Sequence, residues 1–184
     1  QADVDAVRGH HVIAVNDAFR LAPWADVLYA CDAKWWSWKI NRAAWSLPCL
    51  KYSLQADSKR WCKDVHVLEM TGNDGLEMKP TGLRTGRNSG YQAINLAVHF
   101  GARRILLLGY DMGLGPKEEP HFTTAEWNGR HPESHHSPYV IFKKKFETMV
   151  EPLRQAGAEV LNCSRGTGLT AFRGMTLEDA LARW

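Results

Sequence analysis

The chain has 184 residues and a formal net charge of +3, and 45% of its residues are hydrophobic. This length suits one domain with a sizeable core, and the mild, dispersed charge gives no support to nucleic-acid binding. No apolar run is long enough to span a membrane, and four cysteines without a CxxC spacing indicate free thiols, so we expect a cytoplasmic protein.

Strands alternate with helices along the first half of the chain. The patterns predict a helix over 1–9, strands over 11–15 and 27–31, a helix over 35–45, strands over 52–54 and 65–69, and a loop over 71–88. Five of the eight tryptophans lie in the first quarter, at Trp24, Trp35, Trp36, Trp38 and Trp45. They indicate a local aromatic cluster or an interaction face through which the chain forms homo-oligomers.

The most informative segment lies at the middle of the chain. Ser89 is a good N-cap for a helix that continues to residue 100, in which Gln92, Asn95 and His99 form a single polar stripe. Gly101 suits the end of that helix. A buried strand should follow over 104–109, and we expect Asp111 just past its carboxyl end.

The second half begins with a long segment, 113–138, that has four prolines, three glycines, four histidines and no periodicity. A loop of this length is usually functional, which makes it a candidate lid. Helical spacing follows over 142–153, with Pro152 in the last full turn, then a strand over 158–162 and a helix over 176–183 capped by Thr176. The alternation predicts an α/β fold with a doubly wound, mostly parallel sheet. Such folds open with a strand, so we expect that this chain lacks the first strand.

Three predicted strands are followed by a polar residue: Asn16, Asp32 and Asp111. The carboxyl ends of parallel strands lie on one edge of a sheet, where α/β folds bind ligands, so these side chains can converge. The alternative is that they are ordinary turn residues, because Asn and Asp favour turns.

Four residues before the central helix form a second candidate site: Arg87, Asn88, Ser89 and Gly90. Free amides, the helix dipole and a guanidinium suit a phosphate or a carboxylate. The alternative is a capped loop, since neither the Walker A nor the GxGxxG pattern is present.

The histidines of the 113–138 segment have neither the spacing nor the thiolate and carboxylate partners of a metal site, so we predict no metal ligands among them. A histidine acting as general base suits a loop better, because its pKa lies near neutral pH. For any single histidine the alternative is a solvated loop residue.

The central segment resembles one that two related protein groups share. The resemblance is carried by Ser89-Gly90-Tyr91, Ala97, Gly101-Ala102 and Ile105-Leu-Leu-Leu-Gly-Tyr-Asp111, with weaker similarity at 12–16, 25–32 and 160–164. One group is the bacterial lipooligosaccharide sialyltransferases with a Rossmann-like domain. The other includes the archaeal 6-hydroxymethylpterin pyrophosphokinase and many phage and prophage proteins.

The resemblance implies a single Rossmann-like domain over 1–184. In the two groups this domain begins with a strand and a Gly-x-Gly-Pro-Ser loop, and we expect that this chain lacks both. Asn16 would contact the nucleotide, and Ser89 and Gly90 would lie beside the transferred group of the donor. His136 would be the general base, or His135 if the register shifts by one. The chain departs from the sialyltransferases at Asp32, where they have Asn, and at 112–113, where they have a tyrosine.

Three functions follow from these observations. The first is a transferase acting on a nucleotide-linked donor such as a nucleotide-sugar, with a histidine general base and no required cofactor. The second is a Mg²⁺-dependent diphosphokinase, in which Asp32 and Asp111 hold the ion against ATP phosphates. The third is a phage-associated nucleotide-binding module without catalysis, whose tryptophan-rich surface binds a partner.

Overall fold

The computed structural model describes residues 1–113 and 138–183. The chain divides into two compact units, Gln1–Ala102 and Arg103–Trp184. Helices alternate with strands in both units, and every described strand pair is parallel. The predicted α/β class with parallel sheets is therefore confirmed.

Unit 1 is built around a four-stranded sheet in the order β1-β2-β3-β4. Its strands are β1 (Ile13–Val15), β2 (Val27–Tyr29), β3 (Leu50–Ser53) and β4 (His66–Val67). The helix α1 (Ala2–Ala6) precedes the sheet, and short helices lie between its strands: α2 (Ala33–Ser37) and the 3₁₀ helices Asn16–Arg20, Lys39–Ser46 and Ala56–Arg60. A two-stranded sheet of β5 (Glu69–Gly72) and β6 (Gly82–Arg84) precedes the long helix α3 (Ser89–His99).

Both faces of the four-stranded sheet are covered, as β2 shows. Leu28 packs into a cluster with Trp36, whereas Tyr29 packs into a second cluster with Leu96 of α3. Successive side chains of a strand point to opposite faces, so these two clusters cover the two sides of the sheet. A parallel sheet is expected to be buried on both faces in this way.

Most of the early tryptophans belong to the core of unit 1. Trp35 and Trp36 are buried and meet edge to face, with ring centroids 5.0 Å apart. The other three, Trp24, Trp38 and Trp45, are partly buried against the same cluster. The aromatic cluster expected from the sequence is therefore present, while the homo-oligomer stays a prediction.

Unit 2 contains a three-stranded parallel sheet in the order β7-β8-β9. Its elements are β7 (Arg104–Leu107), α4 (Pro138–Gln155), β8 (Glu159–Asn162), β9 (Arg173–Gly174) and α5 (Leu177–Arg183). The helix α4 buries Phe146, Met149 and Leu153, three of the positions that its apolar spacing selects, whereas a fourth, Val150, is exposed. The Asp179 amide donates to Thr176 Oγ1 over 3.1 Å, so the predicted cap of α5 is confirmed. Within the described ranges, no helix combines the length and the apolar character needed to cross a membrane.

Several sequence predictions were wrong in detail. The predicted strands lie in separate hydrogen-bonded sheets rather than in one, because each unit pairs its own strands. The helix predicted over 35–45 is interrupted at Trp38, whose extended backbone (ψ 133°) separates α2 from a 3₁₀ helix. The strand predicted over 65–69 is divided between β4 and β5, and the loop predicted over 71–88 contains β6.

Candidate functional site

Three neighbouring parallel strands of unit 1 end on the same edge of its sheet, and a polar residue follows each of them. Asn16 follows β1, Asp32 follows β2 and Gln55 follows β3. In open α/β sheets this is the edge at which ligands bind. The expectation that Asn16 and Asp32 follow strands on one edge is met within unit 1, whereas the sequence interpretation missed Gln55.

Asn16 has an unusual backbone conformation for a residue other than glycine, with φ 51°. Asn tolerates this left-handed region better than most residues do, and here it turns the chain from β1 directly into a 3₁₀ helix. The residue is half-buried, and its side chain makes no hydrogen bond with another described residue.

Asp32 and Gln55 contact each other at this edge. The Gln55 amide nitrogen lies 3.4 Å from Asp32 Oδ1, and Gln55 Oε1 accepts a 2.8 Å hydrogen bond from the Ala33 amide. Both side chains belong to exposed residues. The protein nevertheless covers part of the Asp32 carboxyl, and this loss of hydration raises its pKa above the ordinary value.

A buried hydrogen-bond chain joins the end of β2 to the segment before α3. The Tyr29 hydroxyl donates to Gln92 Oε1 over 2.7 Å, and Gln92 Nε2 donates to the Thr85 carbonyl over 2.8 Å. Gln92 lies in the first turns of α3, so this chain fixes the N-terminus of the helix at the carboxyl end of β2. Burial raises the Tyr29 pKa well above its ordinary value, which keeps the hydroxyl protonated as the donor.

Cys31 lies between Tyr29 and Asp32 on the same edge, where a thiol could act as a nucleophile. Burial, and then the charge of Asp32, raise the pKa of Cys31 to about 11. The thiol is therefore protonated at neutral pH, and thiols react as thiolates. Nucleophilic catalysis by Cys31 is not supported.

The segment before α3 has the features of an anion site, with one correction. Asn88 is the N-cap, because its side chain accepts a 3.1 Å hydrogen bond from the Tyr91 amide. Ser89, predicted as the cap, is instead the first residue of the helix. Arg87 is exposed and adopts a left-handed backbone conformation with φ 58°. Gly90 lies in the first turn, where the positive end of the helix dipole favours a negative group.

A second segment of unit 1 holds this loop in place. The Thr85 amide donates to the Gly72 carbonyl over 2.8 Å, and Thr85 Oγ1 donates to Asn73 Oδ1 over 2.8 Å. The Tyr91 hydroxyl donates to the Gly75 carbonyl over 2.6 Å. The loop is thus ordered by protein contacts on its inner side, while Arg87 remains exposed.

Asp111 lies four residues after the end of β7 in unit 2. The backbone at this position takes part in a separate network of hydrogen bonds. The Asp111 carbonyl accepts a 2.7 Å hydrogen bond from the Gly168 amide. The Tyr110 amide donates to Ser164 Oγ over 2.8 Å, and Thr167 Oγ1 donates to the Tyr110 carbonyl over 2.6 Å. Lost hydration raises the pKa of the Asp111 carboxyl. These contacts order the backbone that carries Asp111.

The predicted catalytic histidines, His135 and His136, lie outside the described residues, as does all of the candidate lid over 113–138 except its two end residues. In the remainder of the chain, no three His, Cys, Asp or Glu side chains are grouped to hold a metal ion. The description of the site therefore rests on unit 1.

Two glutamines contribute to the site although the sequence interpretation did not select them. Gln55 carries the same signal as Asn16 and Asp32, because a polar residue just past a strand marks the edge of the sheet. Gln92 belongs to the predicted polar stripe of α3. The other two members of the stripe also have hydrogen-bond partners. Asn95 accepts from the Glu77 amide over 2.9 Å, and His99 Nε2 lies 2.8 Å from the Gly82 carbonyl. A polar residue on an otherwise buried helix marks such a partner.

Comparisons with protein-family models, with curated proteins and with solved structures found no match.

Proposed function

We propose that this protein is a transferase that binds a nucleotide-linked donor at the carboxyl edge of the unit 1 sheet. The observation that carries the proposal is the buried Tyr29–Gln92–Thr85 chain of hydrogen bonds. It joins the N-terminus of α3, where an anion is favoured, to the edge at which Asn16 and Asp32 follow their strands.

Each part of this edge suits a different part of such a donor. The exposed guanidinium of Arg87 and the positive end of the α3 dipole at Ser89 suit phosphate oxygens, which accept charge-assisted hydrogen bonds. The Asn16 amide, which offers both a donor and an acceptor, suits the base or sugar of the nucleotide.

The proposal extends to the fold and the setting of the protein. In it the chain has a doubly wound Rossmann-like arrangement and belongs with the sialyltransferase-like and pterin pyrophosphokinase-like proteins that the central segment resembles. His136 is the general base for the acceptor hydroxyl.

The four cysteines are free, as expected of a protein that works in a reducing cytoplasm.

A Mg²⁺-dependent diphosphokinase is the second candidate, and Asp32 is the observation that favours it. Its carboxylate forms no ion pair within the described part of the chain, and lost hydration raises its pKa. A divalent cation would stabilise such a carboxylate, since Mg²⁺ prefers oxygen ligands.

A thermal-unfolding screen with CMP, UDP, GDP and ATP, each with and without Mg²⁺, tests the proposal. A ligand that binds only the folded state stabilises it by about 2.7 kcal/mol at a concentration 100 times its dissociation constant. We expect at least one nucleotide to raise the melting midpoint without Mg²⁺, and Arg87→Ala to reduce the shift. The matched control is Arg60→Ala, an exposed arginine of the 3₁₀ helix Ala56–Arg60 whose Nε lies 3.2 Å from Asp57 of the same helix.

A midpoint shift that appears only with Mg²⁺ and ATP would favour the diphosphokinase. If no nucleotide shifts the midpoint under either condition, the transferase proposal is wrong.

A further inference from the structure

The basic residues of the chain are concentrated in one part of unit 1. Residues 33–63 contain seven of the 23 Lys and Arg residues but only one of the 20 Asp and Glu residues. In the rest of the chain the acidic residues outnumber the basic ones. The small net charge of the whole chain therefore does not describe this segment, which is strongly positive.

The helical elements of the segment lie on one side of the four-stranded sheet. They are α2 and the 3₁₀ helices Lys39–Ser46 and Ala56–Arg60. Trp36, Ala44 and Cys62, each in or just after one of these elements, pack into the same core cluster. Connections between neighbouring parallel strands have one hand, which puts successive crossovers on the same side. The outer surfaces of the three elements therefore face away from the sheet together.

Five basic residues of the segment are exposed, and none of them forms an ion pair with another described residue. We call them the basic face: Lys34, Lys39, Arg42, Lys59 and Lys63. The other two basic residues of the segment are paired. Lys51 is buried with Nζ 2.7 Å from Asp64 Oδ2, and Arg60 Nε lies 3.2 Å from Asp57 Oδ1. The charge of the basic face is thus not balanced by these carboxylates.

Apolar side chains are exposed among these cations. Ile40 and Trp61 are each 44% exposed, and Ile40 follows Lys39 directly. The Arg42 guanidinium lies over the ring of Trp45, 5.8 Å from its centroid. Surfaces that bind the face of a membrane combine these two features, because cations attract the lipid headgroups while aliphatic and aromatic side chains enter the interface.

We propose that the basic face binds the surface of an anionic lipid bilayer, with Ile40 and Trp61 entering the headgroup region. The unpaired cations complement the phosphodiester groups of anionic lipids, each of which has one negative charge. This binding is peripheral and does not depend on a nucleotide, so the inference goes beyond the proposed function.

A nucleic acid fits the basic face less well than a bilayer does. The major groove of a duplex admits an α-helix or a two-stranded ribbon. The longest helical element here is a 3₁₀ helix of eight residues, and it is anchored in the core by Asn41 and Ala44. Single strands stack their bases on several aromatic side chains, whereas Trp61 is the only exposed tryptophan of residues 33–63.

The test is co-sedimentation with vesicles of phosphatidylcholine alone and of phosphatidylcholine with an equal part of phosphatidylglycerol. We expect binding to the anionic vesicles only, and weaker binding as the salt concentration rises. Each basic residue near such a surface strengthens binding about fivefold. The triple variant Lys34→Glu, Lys39→Glu, Lys59→Glu should therefore weaken binding by at least about a hundredfold. Trp61→Ala should also weaken it but leave the salt dependence unchanged, because no charge is removed.

The matched control is the triple variant Lys79→Glu, Lys144→Glu, Arg173→Glu. It makes the same change in net charge at three exposed residues outside the segment, so it should bind the anionic vesicles nearly as the original chain does. Melting midpoints measured without vesicles show whether each variant is folded. If the first triple variant has a lower midpoint, the corresponding Lys→Gln substitutions take its place.

Two results would overturn the inference directly. One is the absence of binding to the anionic vesicles at low salt, and the other is an equal loss of binding in the two triple variants, which would show attraction by net charge alone. Fluorescence anisotropy with labelled single-stranded and duplex oligonucleotides tests the alternative partner. Oligonucleotide binding that the first triple variant removes, without any binding to vesicles, would assign the basic face to a nucleic acid instead.

Discussion

Asn88 closes the N-terminus of α3 with a single side-chain hydrogen bond, from the Tyr91 amide over 3.1 Å. Removing a cap of this kind costs about 1 kcal/mol of stability, with a range of about 0.5–2 kcal/mol. We expect Asn88→Ala to lower the free energy of unfolding by that amount in chemical denaturation. Ser89→Ala should have a smaller effect, because Ser89 is inside the helix. Equal losses for the two variants would contradict the assignment of the cap.

Gly86 is the residue of the α3 loop that tolerates substitution least. Its φ is +50°, and a Cβ at this position would collide with the ring of Tyr91. Left-handed backbone alone costs a residue with a Cβ about 1–2 kcal/mol, so Gly86→Ala should cost more than that. Gly101→Ala is the matched control, since Gly101 has φ +84° but open space around it. Denaturation curves that show the two variants equally destabilised would argue against the Tyr91 contact.

Residue-scale chemistry explains why the sequence could select the site only in part. Asn88 and Ser89 are both good N-cap residues, and only the position of the Tyr91 amide decides between them. Asn16 and Asp32 were selected because they follow strong apolar runs. Gln55 was missed because the strand before it, β3, has an exposed Leu50 and a buried Lys51, so its pattern is weak.

The buried hydrogen bond between Tyr29 of β2 and Gln92 of α3 holds the N-terminus of α3 at the carboxyl end of β2. Replacing Gln92 with Met would leave the buried Tyr29 hydroxyl without its Gln92 acceptor, whereas the Thr85 carbonyl would keep its 3.1 Å hydrogen bond from the Asn88 amide. An unpaired buried polar group costs about 1–3 kcal/mol, so we expect Gln92→Met to lower the free energy of unfolding by about that amount. Nucleotide affinity should fall as well, because the loop over 85–90 loses one of the hydrogen bonds that hold it.

A double-mutant cycle checks that this loss comes from the hydrogen bond to Tyr29. In the Gln92→Met background, Tyr29→Phe removes the unpaired hydroxyl, so it should cost less there than in the original chain. Additive losses from the two substitutions would show that the hydroxyl and the amide do not interact.

Elements with many buried residues were predictable, whereas short ones were not. The apolar face of α3 and the runs that form β7 and β8 predicted those elements within a few residues of their bounds. The strands β5 and β6 have only four and three residues, too few for a periodic signal. The 3₁₀ helix over Lys39–Ser46 was read as part of one long helix because its apolar spacing resembles that of an α-helix.

His136 carries the main catalytic prediction for the molecule as a whole, although it lies outside the described residues. A positioned imidazole that takes a proton from an acceptor hydroxyl contributes about 10²- to 10⁴-fold in rate. We expect His136→Ala to lower turnover by that factor and to leave nucleotide affinity nearly unchanged, since the histidine acts on the acceptor. Single-turnover kinetics and calorimetry measure the two effects separately.

His135→Ala is the matched control, and it should have the smaller effect. A double variant, His135→Ala with His136→Ala, that keeps full activity would remove the histidine base from the mechanism. The Mg²⁺-dependent diphosphokinase would then be the better-supported function.

The α/β class could be predicted for the whole chain because it depends on a pattern repeated along the sequence, a buried strand followed by a helix. The pairing of strands could not, because it depends on which edges meet in space. β1 to β4 pair in sequence order, whereas β4 and β5 lie in different sheets although a single residue separates them. A sequence pattern gives the burial of each strand but not the identity of its neighbour.

Hydrogen–deuterium exchange with and without a saturating nucleotide tests whether the nucleotide binds at the carboxyl edge of the unit 1 sheet, because it locates the ligand along the chain. We expect slower exchange in peptides that cover 13–17 and 85–92, which contain Asn16 and the first turn of α3. Peptides that cover 98–102, at the opposite end of α3, should exchange as before. Protection confined to that opposite end, or absent from both site peptides while the nucleotide is bound, would contradict binding at this edge.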